Sequence, residues 1–508
     1  MDRVLNRALA WNGPLIALLA LALALAAGLL IVRLAPLDGL IFVGLAVVGV
    51  ATVIEPLAGL AAALFLGPLK AYLSAEVPQV PAQIGQIFVA LTLAVWLARG
   101  LARRDLRIPH PPLLLPLLAF FGAAMLSLWD AVELPVYGIP ELIKWGQIVL
   151  LFLFVSDYLL AGKKTCPTSW LLGALLVTGL FQAGVGIWQF GLRGEGPEHF
   201  AILRLGESLR SGGGFFRAYG TFEQPNPYAG YLGLMLPLAL GGAWGTTAAW
   251  WESRRVDEAP RFPIPRFLTY SIPAVAMLAA LGMSWSRGAW LGFGAAAGVM
   301  ALALPHQTRW GLLLVVVLLV GLLGLYATGL LPESIVARLT DFVQDVRFED
   351  VRGVGINDAN YAVIERLAHW QAGLEMFRYN LWTGVGIGCY EPAYADKGHP
   401  SQFALINWPI ALGHAHNYYL NLAAETGLIG LLAYLVLWGA VFWRTWRVTR
   451  CARGLSRGLA IGLLGVWTHL SVHHFLDNLY VNNVHLHIGV LLGLLAFLVQ
   501  NNGCHLRQ

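Results

Sequence analysis

The chain has 508 residues, of which 58% are hydrophobic and only 12% are charged, and its formal net charge is +5. An average soluble domain carries about 25% charged residues, so this composition excludes an ordinary soluble domain and predicts a membrane protein. We interpret the small positive charge as a consequence of membrane topology rather than as a nucleic-acid-binding surface.

Apolar runs long enough to cross a bilayer recur along almost the whole chain. The first run is longer than the apolar core of a signal peptide, so it is predicted to remain as an uncleaved span. Fourteen spans are predicted, and twelve is the alternative because removing one hairpin leaves both termini on the same side. The predicted spans lie near 14–33, 37–53, 56–73, 84–98, 112–129, 141–161, 169–190, 226–247, 267–283, 287–304, 310–330, 415–442, 457–476 and 484–500.

The basic residues predict the orientation of these spans. Arginine and lysine concentrate in the segments that lie inside when the N-terminus is inside, including the arginine-rich run 444–457. Both termini are therefore predicted to be cytoplasmic, and residues 413–417 are predicted to lie outside. Of the four cysteines only Cys389 is then outside, so neither a disulfide nor a cysteine-based metal site is expected.

Two predicted outer segments, 191–225 and 331–413, are longer than simple connectors. The second contains an amphipathic stretch that predicts a helix on the membrane surface or above a cavity. Its apolar residues at spacings of four and three are Val363, Leu367, Trp370, Leu374 and Phe377. We find no internal repeat and no linker, so residues 1–508 are predicted to form one all-α transmembrane domain.

The stretch GHAHNYYLNLAAETGLIG, residues 413–430, places polar side chains at the outer end of an apolar helix. On a helix beginning near Gly413, His416 heads a stripe of side chains that becomes small at Gly427 and Gly430, which permits close helix packing. The neighbouring stripe contains Asn421 and Glu425, which are predicted to hold the helix by hydrogen bonding. By position, His416 can be either a general base reached by substrate or a packed, hydrogen-bonded histidine.

Two arginines are predicted at the same outer face, Arg287 in GMSWSRGAWLG and Arg217 in FFRAYGTF. The planar guanidinium group donates two parallel hydrogen bonds to phosphate, so the pair favours binding of a phosphate or pyrophosphate group. For Arg287, an anchoring role at the membrane interface is the alternative.

The segment HNYYLNLAAETGLIG resembles the signature of the O-antigen ligase and O-antigen polymerase superfamily. That signature is His-Asn, nine residues, Gly, two residues and Gly, here His416–Asn417, Gly427 and Gly430. SRGAWLG resembles the family element Arg-x-x-x-Leu, and GTFEQPNPYAGYL and residues 366–388 resemble its flanking regions. The resemblance covers roughly residues 215–440.

The resemblance implies a glycosyltransferase in the bacterial cytoplasmic (inner) membrane, with its active site on the extracytoplasmic face, that acts in cell-surface polysaccharide synthesis. Its donor would be a glycan linked to undecaprenyl pyrophosphate, and its acceptor a sugar hydroxyl of a glycan or glycolipid. His416 would be the general base, Arg287 and Arg217 would hold the pyrophosphate, and Arg366 would be a third phosphate contact. The neighbouring substrate contacts would be His414, Asn417 and Tyr418. The resemblance implies inversion at the anomeric carbon, no cofactor, no metal, and no nucleotide or nucleic-acid partner.

Three alternatives remain at the sequence level. A polymerase would use a second lipid-linked repeat unit as acceptor, whereas a ligase uses a lipid-borne core. A flippase of lipid-linked sugars would transport without transfer, although no inverted repeat supports it. A metal site could draw on histidines and an aspartate near the outer face, although their spacings match no zinc signature. These residues are His414, His416, His469, His473, His474, Asp477, His485 and His487.

Overall fold

The structure, a computed structural model, describes most of the chain. The described residues are 36–104, 110–161, 167–192, 217–222, 224–254, 261–331, 333, 335, 336, 338, 340, 361–394 and 412–504. The predicted first span, 14–33, lies outside the described residues, as do most of the segment 191–225 and much of 331–413.

The described part of the chain is helical, with no strand, which confirms the predicted all-α class. We number the α-helices in chain order. They are α1 (Pro36–Ile54), α2 (Pro56–Leu66), α3 (Lys70–Glu76), α4 (Ile84–Arg103), α5 (Leu114–Ser127), α6 (Ile139–Ala161), α7 (Pro167–Ile187), α8 (Pro225–Ser253), α9 (Ile264–Met283), α10 (Arg287–Ala303), α11 (Thr308–Ala327), α12 (Tyr361–Tyr379), α13 (Tyr390–Tyr394), α14 (Tyr418–Cys451), α15 (Gly454–His473) and α16 (Val484–Asn501).

Nine of the helices in the described residues are long and apolar enough to cross a membrane. The helices α2 and α3 would add a tenth span, bent by 68° where Gly67 and Pro68 interrupt the run. The helices α1 and α5 are apolar but shorter. The chain is therefore a multi-pass membrane protein, and the described helices coincide in position with the predicted spans that fall on them.

The helices α15 and α16 form the centre of the bundle, with 78% and 83% of their apolar windows buried. By contrast, only 6% of the corresponding window of α11 is buried, so α11 presents its side chains to lipid. Glycines of α8 and α15 allow the two backbones to meet directly, because a Cβ atom on Gly241 would overlap the backbone at Gly458 and Gly462.

Arginines stabilise the helix ends at the end of the bundle opposite His416. Arg457 donates hydrogen bonds to the carbonyl groups of Ala303 and Leu304 at 3.1 and 2.7 Å, at the C-terminus of α10. Arg450 donates to the carbonyl groups of Pro305 and His306 at 2.6 and 2.8 Å. These contacts satisfy carbonyl groups that a helix C-terminus leaves without partners.

The expectation that the chain has no disulfide is wrong. Cys451, the last residue of α14, is disulfide-bonded to Cys504, which follows α16. The two residues are 53 positions apart in sequence, and only the packing of α14 beside α16 brings their Cα atoms to 6.1 Å. The remaining described cysteine, Cys389, is a buried free thiol.

Candidate active site

The helix α14 is broken at Gly427, and the break determines how the site is assembled. Gly427 has φ 62° and ψ −164°, a combination that is essentially restricted to glycine. The glycine-rich segment 381–389 fills the break and pairs with the backbone that the break exposes. The bonds are Val385 N–H to Ala424 C=O (2.9 Å), Gly386 N–H to Glu425 C=O (3.0 Å), Leu428 N–H to Leu381 C=O (2.7 Å) and Ile429 N–H to Trp382 C=O (3.3 Å).

These bonds show what the GVGIG run at residues 384–388 does. It locks the segment after α12 onto α14, because Gly384, Gly386 and Gly388 all have positive φ angles and lie against neighbouring backbone or side chains. Gly427, which belongs to the predicted stripe of small residues on α14, also permits this close packing. A Cβ atom on Gly427 would meet the backbone of Trp382 and Thr383.

We expect Gly427→Ala to lower the thermal unfolding midpoint and to remove activity, because alanine must adopt a disallowed backbone conformation and clashes with Trp382. A residue held in such a sparsely populated backbone conformation costs about 1–3 kcal/mol. Gly439→Ala on the same helix is the matched control, since nothing lies within 4 Å of its Cβ position. Equal midpoints for the two variants, measured in the same detergent, would contradict the role assigned to the break.

The structure corrects the position of His416. The helix α14 begins at Tyr418, with Asn417 as its N-cap, so His416 precedes the helix and does not lie on the predicted stripe. The side chain of Asn417 accepts hydrogen bonds from the N–H groups of Tyr419 and Leu420 at 3.0 and 3.1 Å. His416 has φ 50°, a left-handed conformation that turns the chain sharply into the helix.

Polar side chains hold this turn in place. Asn421 accepts a hydrogen bond from the N–H of Ala415 at 3.0 Å. Glu425 accepts one from the N–H of Tyr390 at 3.2 Å, which joins α14 to α13. Both side chains are at least 95% buried, as expected of polar groups that organise a packed region.

Asp477, in the loop after α15, faces the histidine turn. Its Oδ1 lies 3.7 Å from Nδ1 of His416 and 3.8 Å from Nε2 of His414. Burial alone would raise the pKa of Asp477, but His416, His414 and His473 together hold it well below its usual value. Asp477 is therefore a buried carboxylate, 4% exposed, surrounded by imidazoles.

The tautomer of His414 follows from its contacts. Burial lowers the pKa of His414 to about 4, although Asp477 acts in the opposite direction, so the ring is neutral near pH 7. Its Nδ1 accepts a hydrogen bond from the N–H of His416 at 3.1 Å. The single ring proton is consequently assigned to Nε2, on the side of Asp477.

Arginines meet at the turn between α9 and α10. Arg217 donates from Nε to the carbonyl of Ser284 at 2.9 Å, and from Nη2 to Oδ1 of Asn226 at 3.3 Å. Arg338 donates from Nε and Nη2 to the carbonyl of Trp285, at 3.3 Å each. Trp285 has φ 54°, so this turn is strained into a form that directs its carbonyl groups at guanidinium groups.

Arg287 and Arg366 complete a group of four arginines with Arg217 and Arg338. Burial, together with the charges of Arg338, Arg287 and Arg366, lowers the pKa of Arg217 to about 9. Arg366 also acts electrostatically on His414, so it lies near both the arginine group and the histidine turn. Within the described residues, no acceptor contacts Nε of Arg366, although that atom is buried. Like charges gathered in this way are costly unless an anion binds among them.

The helix α12, which carries Arg366, packs with a face that the sequence did not predict. The predicted apolar stripe is only partly buried, and Leu374 is 38% exposed. The fully buried side chains are Ile364, Ala368, His369, Ala372 and Met376. Alanines on this face let α12 approach α14 closely, which brings Arg366 to the histidine turn.

The structure brings together most, but not all, of the residues predicted for the site. His414, His416, Arg217, Arg287 and Arg366 converge, and Asn417, Asn421, Glu425 and Gly427 support them from α14. Gly430 packs against its own helix turn at Thr426. Tyr418 does not face the site: it is 5% exposed and its ring lies 4.8 Å from that of Tyr480 and 4.5 Å from that of His474.

The other histidines predicted for a metal site are dispersed among packed helices. His469 fits against Gly233 and Gly292, and His473 against Gly288. His485 contacts Oε1 of Gln147 at 2.7 Å, and His487 contacts the hydroxyl of Tyr231 at 3.3 Å. Among the described residues, the group whose ligand atoms come close enough to share a metal is His414, His416 and Asp477.

Sequence reasoning missed Arg338, and it named Asp477 as a possible metal ligand rather than as a partner of His416. Arg338 follows α11 in a stretch with no motif, so only its contact with Trp285 reveals it. Asp477 lies far beyond His416 in the chain, past any sequence spacing that could indicate contact. A useful signal was available for Asp477, since a carboxylate next to histidines at a helix end is costly unless paired.

These features define an integral membrane protein with a group of four arginines and an imidazole–carboxylate pair at one end of its helices. Residues 272–435 match the family model described as O-antigen ligase. This match confirms the resemblance to the O-antigen ligase and polymerase superfamily that was seen in the sequence. The match includes Arg287, Arg338, Arg366 and His416, whereas Arg217 and Asp477 lie outside it. A search of curated proteins found no match to the chain.

Proposed function

We propose that the protein is a membrane glycosyltransferase of the O-antigen ligase type. It transfers a glycan from undecaprenyl pyrophosphate to a sugar hydroxyl of a lipid-borne core, on the outer face of the inner membrane. The observation that carries the proposal is the position of Arg366, which acts electrostatically both on the arginine group and on the histidine turn. An anion bound by the arginines would thus lie beside a base.

His416 is the proposed general base. With Nδ1 of His416 turned toward the carboxylate of Asp477 at 3.7 Å, the ring proton is placed on Nδ1 and Nε2 keeps its lone pair. Nε2 accepts the proton of the acceptor hydroxyl as its oxygen attacks the anomeric carbon of the donor. Asp477 then stabilises the imidazolium that forms, as carboxylates do when they orient a catalytic histidine.

The arginine group has the complementary role. As the bond between the anomeric carbon and the pyrophosphate oxygen breaks, negative charge develops on the leaving pyrophosphate. Arg217, Arg287, Arg338 and Arg366 would hold that charge through paired N–H donors. Attack opposite the leaving group inverts the anomeric configuration. No step of this proposed transfer requires a cofactor or a metal.

The function is tested by reconstituting the purified protein with a lipid-linked glycan and measuring release of undecaprenyl pyrophosphate. Release that depends on a lipid-borne core acceptor supports a ligase, and release that depends on a second lipid-linked repeat unit supports a polymerase. A flippase would move the donor across the bilayer and release none, which would overturn the proposal.

We expect Arg338→Ala to raise the KM for the lipid-linked donor by about 10-fold or more, because hydrogen bonds to charged groups contribute about 1.5–3 kcal/mol. The variant also releases the carbonyl of Trp285 and should loosen the turn that precedes Arg287. Arg378→Ala is the matched control, since Arg378 is exposed on α12 and pairs only with Glu375 among the described residues. An unchanged KM for the Arg338 variant would remove Arg338 from the pyrophosphate site.

A further inference from the structure

The histidine turn and Asp477 form a three-ligand arrangement. The ligand atoms of His414, His416 and Asp477 all lie within 4.8 Å of one another, and the two imidazole–carboxylate separations are 3.8 and 3.7 Å. In tetrahedral zinc coordination, bonds of about 2.0–2.1 Å separate adjacent ligand atoms by roughly 3.3 Å. Each imidazole therefore needs to approach the carboxylate by only a few tenths of an ångström, and the two imidazole atoms, at most 4.8 Å apart, need to approach each other by up to about 1.5 Å to share one ion.

The donor set selects the kind of metal. Two imidazoles and one carboxylate suit zinc and similar transition metals, whereas magnesium and calcium prefer oxygen ligands alone. Three protein ligands leave a fourth position open. Glu365, on α12, acts electrostatically on His416 and on Arg366, so this carboxyl group also lies near the histidine turn.

The main cost of metal binding is local. His414 carries its ring proton on Nε2, so coordination through Nε2 moves that proton to Nδ1 and breaks the hydrogen bond from the N–H of His416. His416 loses no comparable bond, because neither of its buried ring nitrogens has a hydrogen-bond partner among the described residues. Metal binding therefore breaks one backbone hydrogen bond and forms two metal–nitrogen bonds.

We propose that His414, His416 and Asp477 bind one zinc ion, or a similar transition-metal ion, and that this ion inhibits the protein reversibly. A neutral imidazole has one lone pair available outside its ring, and coordination uses it, so metal-bound His416 cannot accept a proton. The ion also engages Asp477, which removes the partner of the imidazolium. The inhibition rests on the proposed function of His416, whereas the binding of the ion does not.

Binding is measured on the full-length protein, freed of metal with a chelator, in detergent and without donor or acceptor. We expect one zinc per chain by elemental analysis and calorimetry, and a visible spectrum of tetrahedral Co²⁺ when cobalt replaces zinc. Replacing a residue that only hydrogen-bonds to a metal ligand typically lowers the metal affinity 10–100-fold. His414→Ala removes one of the ligands, so it should weaken zinc binding by about 100-fold or more. The matched control is His306→Ala, because His306 is exposed at the opposite end of the bundle.

Inhibition is measured as the activity remaining with zinc, relative to each variant's own zinc-free activity. We expect zinc to remove the activity of the unmodified protein, EDTA to restore it, and His414→Ala to be far less sensitive. Unchanged zinc affinity in His414→Ala, or tight binding lost in His306→Ala, would overturn the site. Activity that chelation removes and zinc restores would overturn the inhibitory role. Zinc binding without any transferase activity would leave the metal site intact and reject the proposed function instead.

Discussion

Replacing His416 is expected to lower glycan transfer by about 10²–10⁴-fold, the contribution typical of a positioned general base. The loss should appear in kcat, because the proposed role of His416 is to accept the acceptor proton in the transition state rather than to bind the donor. Release of undecaprenyl pyrophosphate in the reconstituted system measures it.

Two replacements of His416 distinguish the loss of a base from a change in backbone conformation. His416 has φ 50°, a conformation that asparagine tolerates better than alanine, so His416→Asn preserves the turn and removes only the base. Both His416→Asn and His416→Ala should be inactive, whereas the surface variant His306→Ala should keep normal activity. Full activity in His416→Asn with loss in His416→Ala would show that His416 is required for the turn and not for proton transfer.

Arg287→Lys is expected to lose about 10²–10³-fold in kcat, although it keeps the positive charge. Lysine is a point charge and cannot donate two parallel hydrogen bonds to a pyrophosphate, so it stabilises the leaving group less well. Removing a single donor from a developing anion costs about this much in enzymes for which it is known. Transfer rates at saturating donor measure the effect.

Arg309→Lys is the control for Arg287→Lys. Arg309 lies in the first turn of α11 at the opposite end of the bundle, is exposed, and donates from Nε to Oε1 of Gln307 at 2.9 Å. It should tolerate the change without loss of activity. If Arg287→Lys retained full activity, Arg287 would be an interfacial anchor, as the alternative interpretation of the sequence has it.

The membrane-spanning helices were largely predictable. Their apolar runs must cross about 30 Å of hydrocarbon with every backbone group bonded internally, and that requirement is met by local sequence. The ends of the helices were less predictable, because tertiary packing decides where a helix begins. The sequence pattern places His416 within a helix, but Asn417 caps that helix and leaves His416 in the preceding turn.

The candidate site was predictable only in part. The sequence indicated His416, Arg287 and Arg217 for two reasons. Polar groups at the ends of apolar helices are energetically costly and therefore stand out, and these residues lie in segments that resemble family motifs. The sequence did not indicate Arg338 or the pairing of Asp477 with His416. Both depend on contacts that the ends of α10 and α15 make with segments far away in sequence. The face of α12 that packs against the bundle was not indicated by its apolar stripe for a related reason: close approach to α14 selects alanines rather than the largest apolar side chains.

By itself, the sequence determined that this is an all-α membrane protein and that its histidine and arginines belong near one end of its spans, because hydrophobicity and charge act residue by residue. Only the tertiary structure decided that Gly427 breaks α14, that Asp477 faces His416, that Cys451 meets Cys504, and that four arginines gather around one turn. Most of these features are contacts between segments far apart in the chain, and their geometry depends on how whole helices pack.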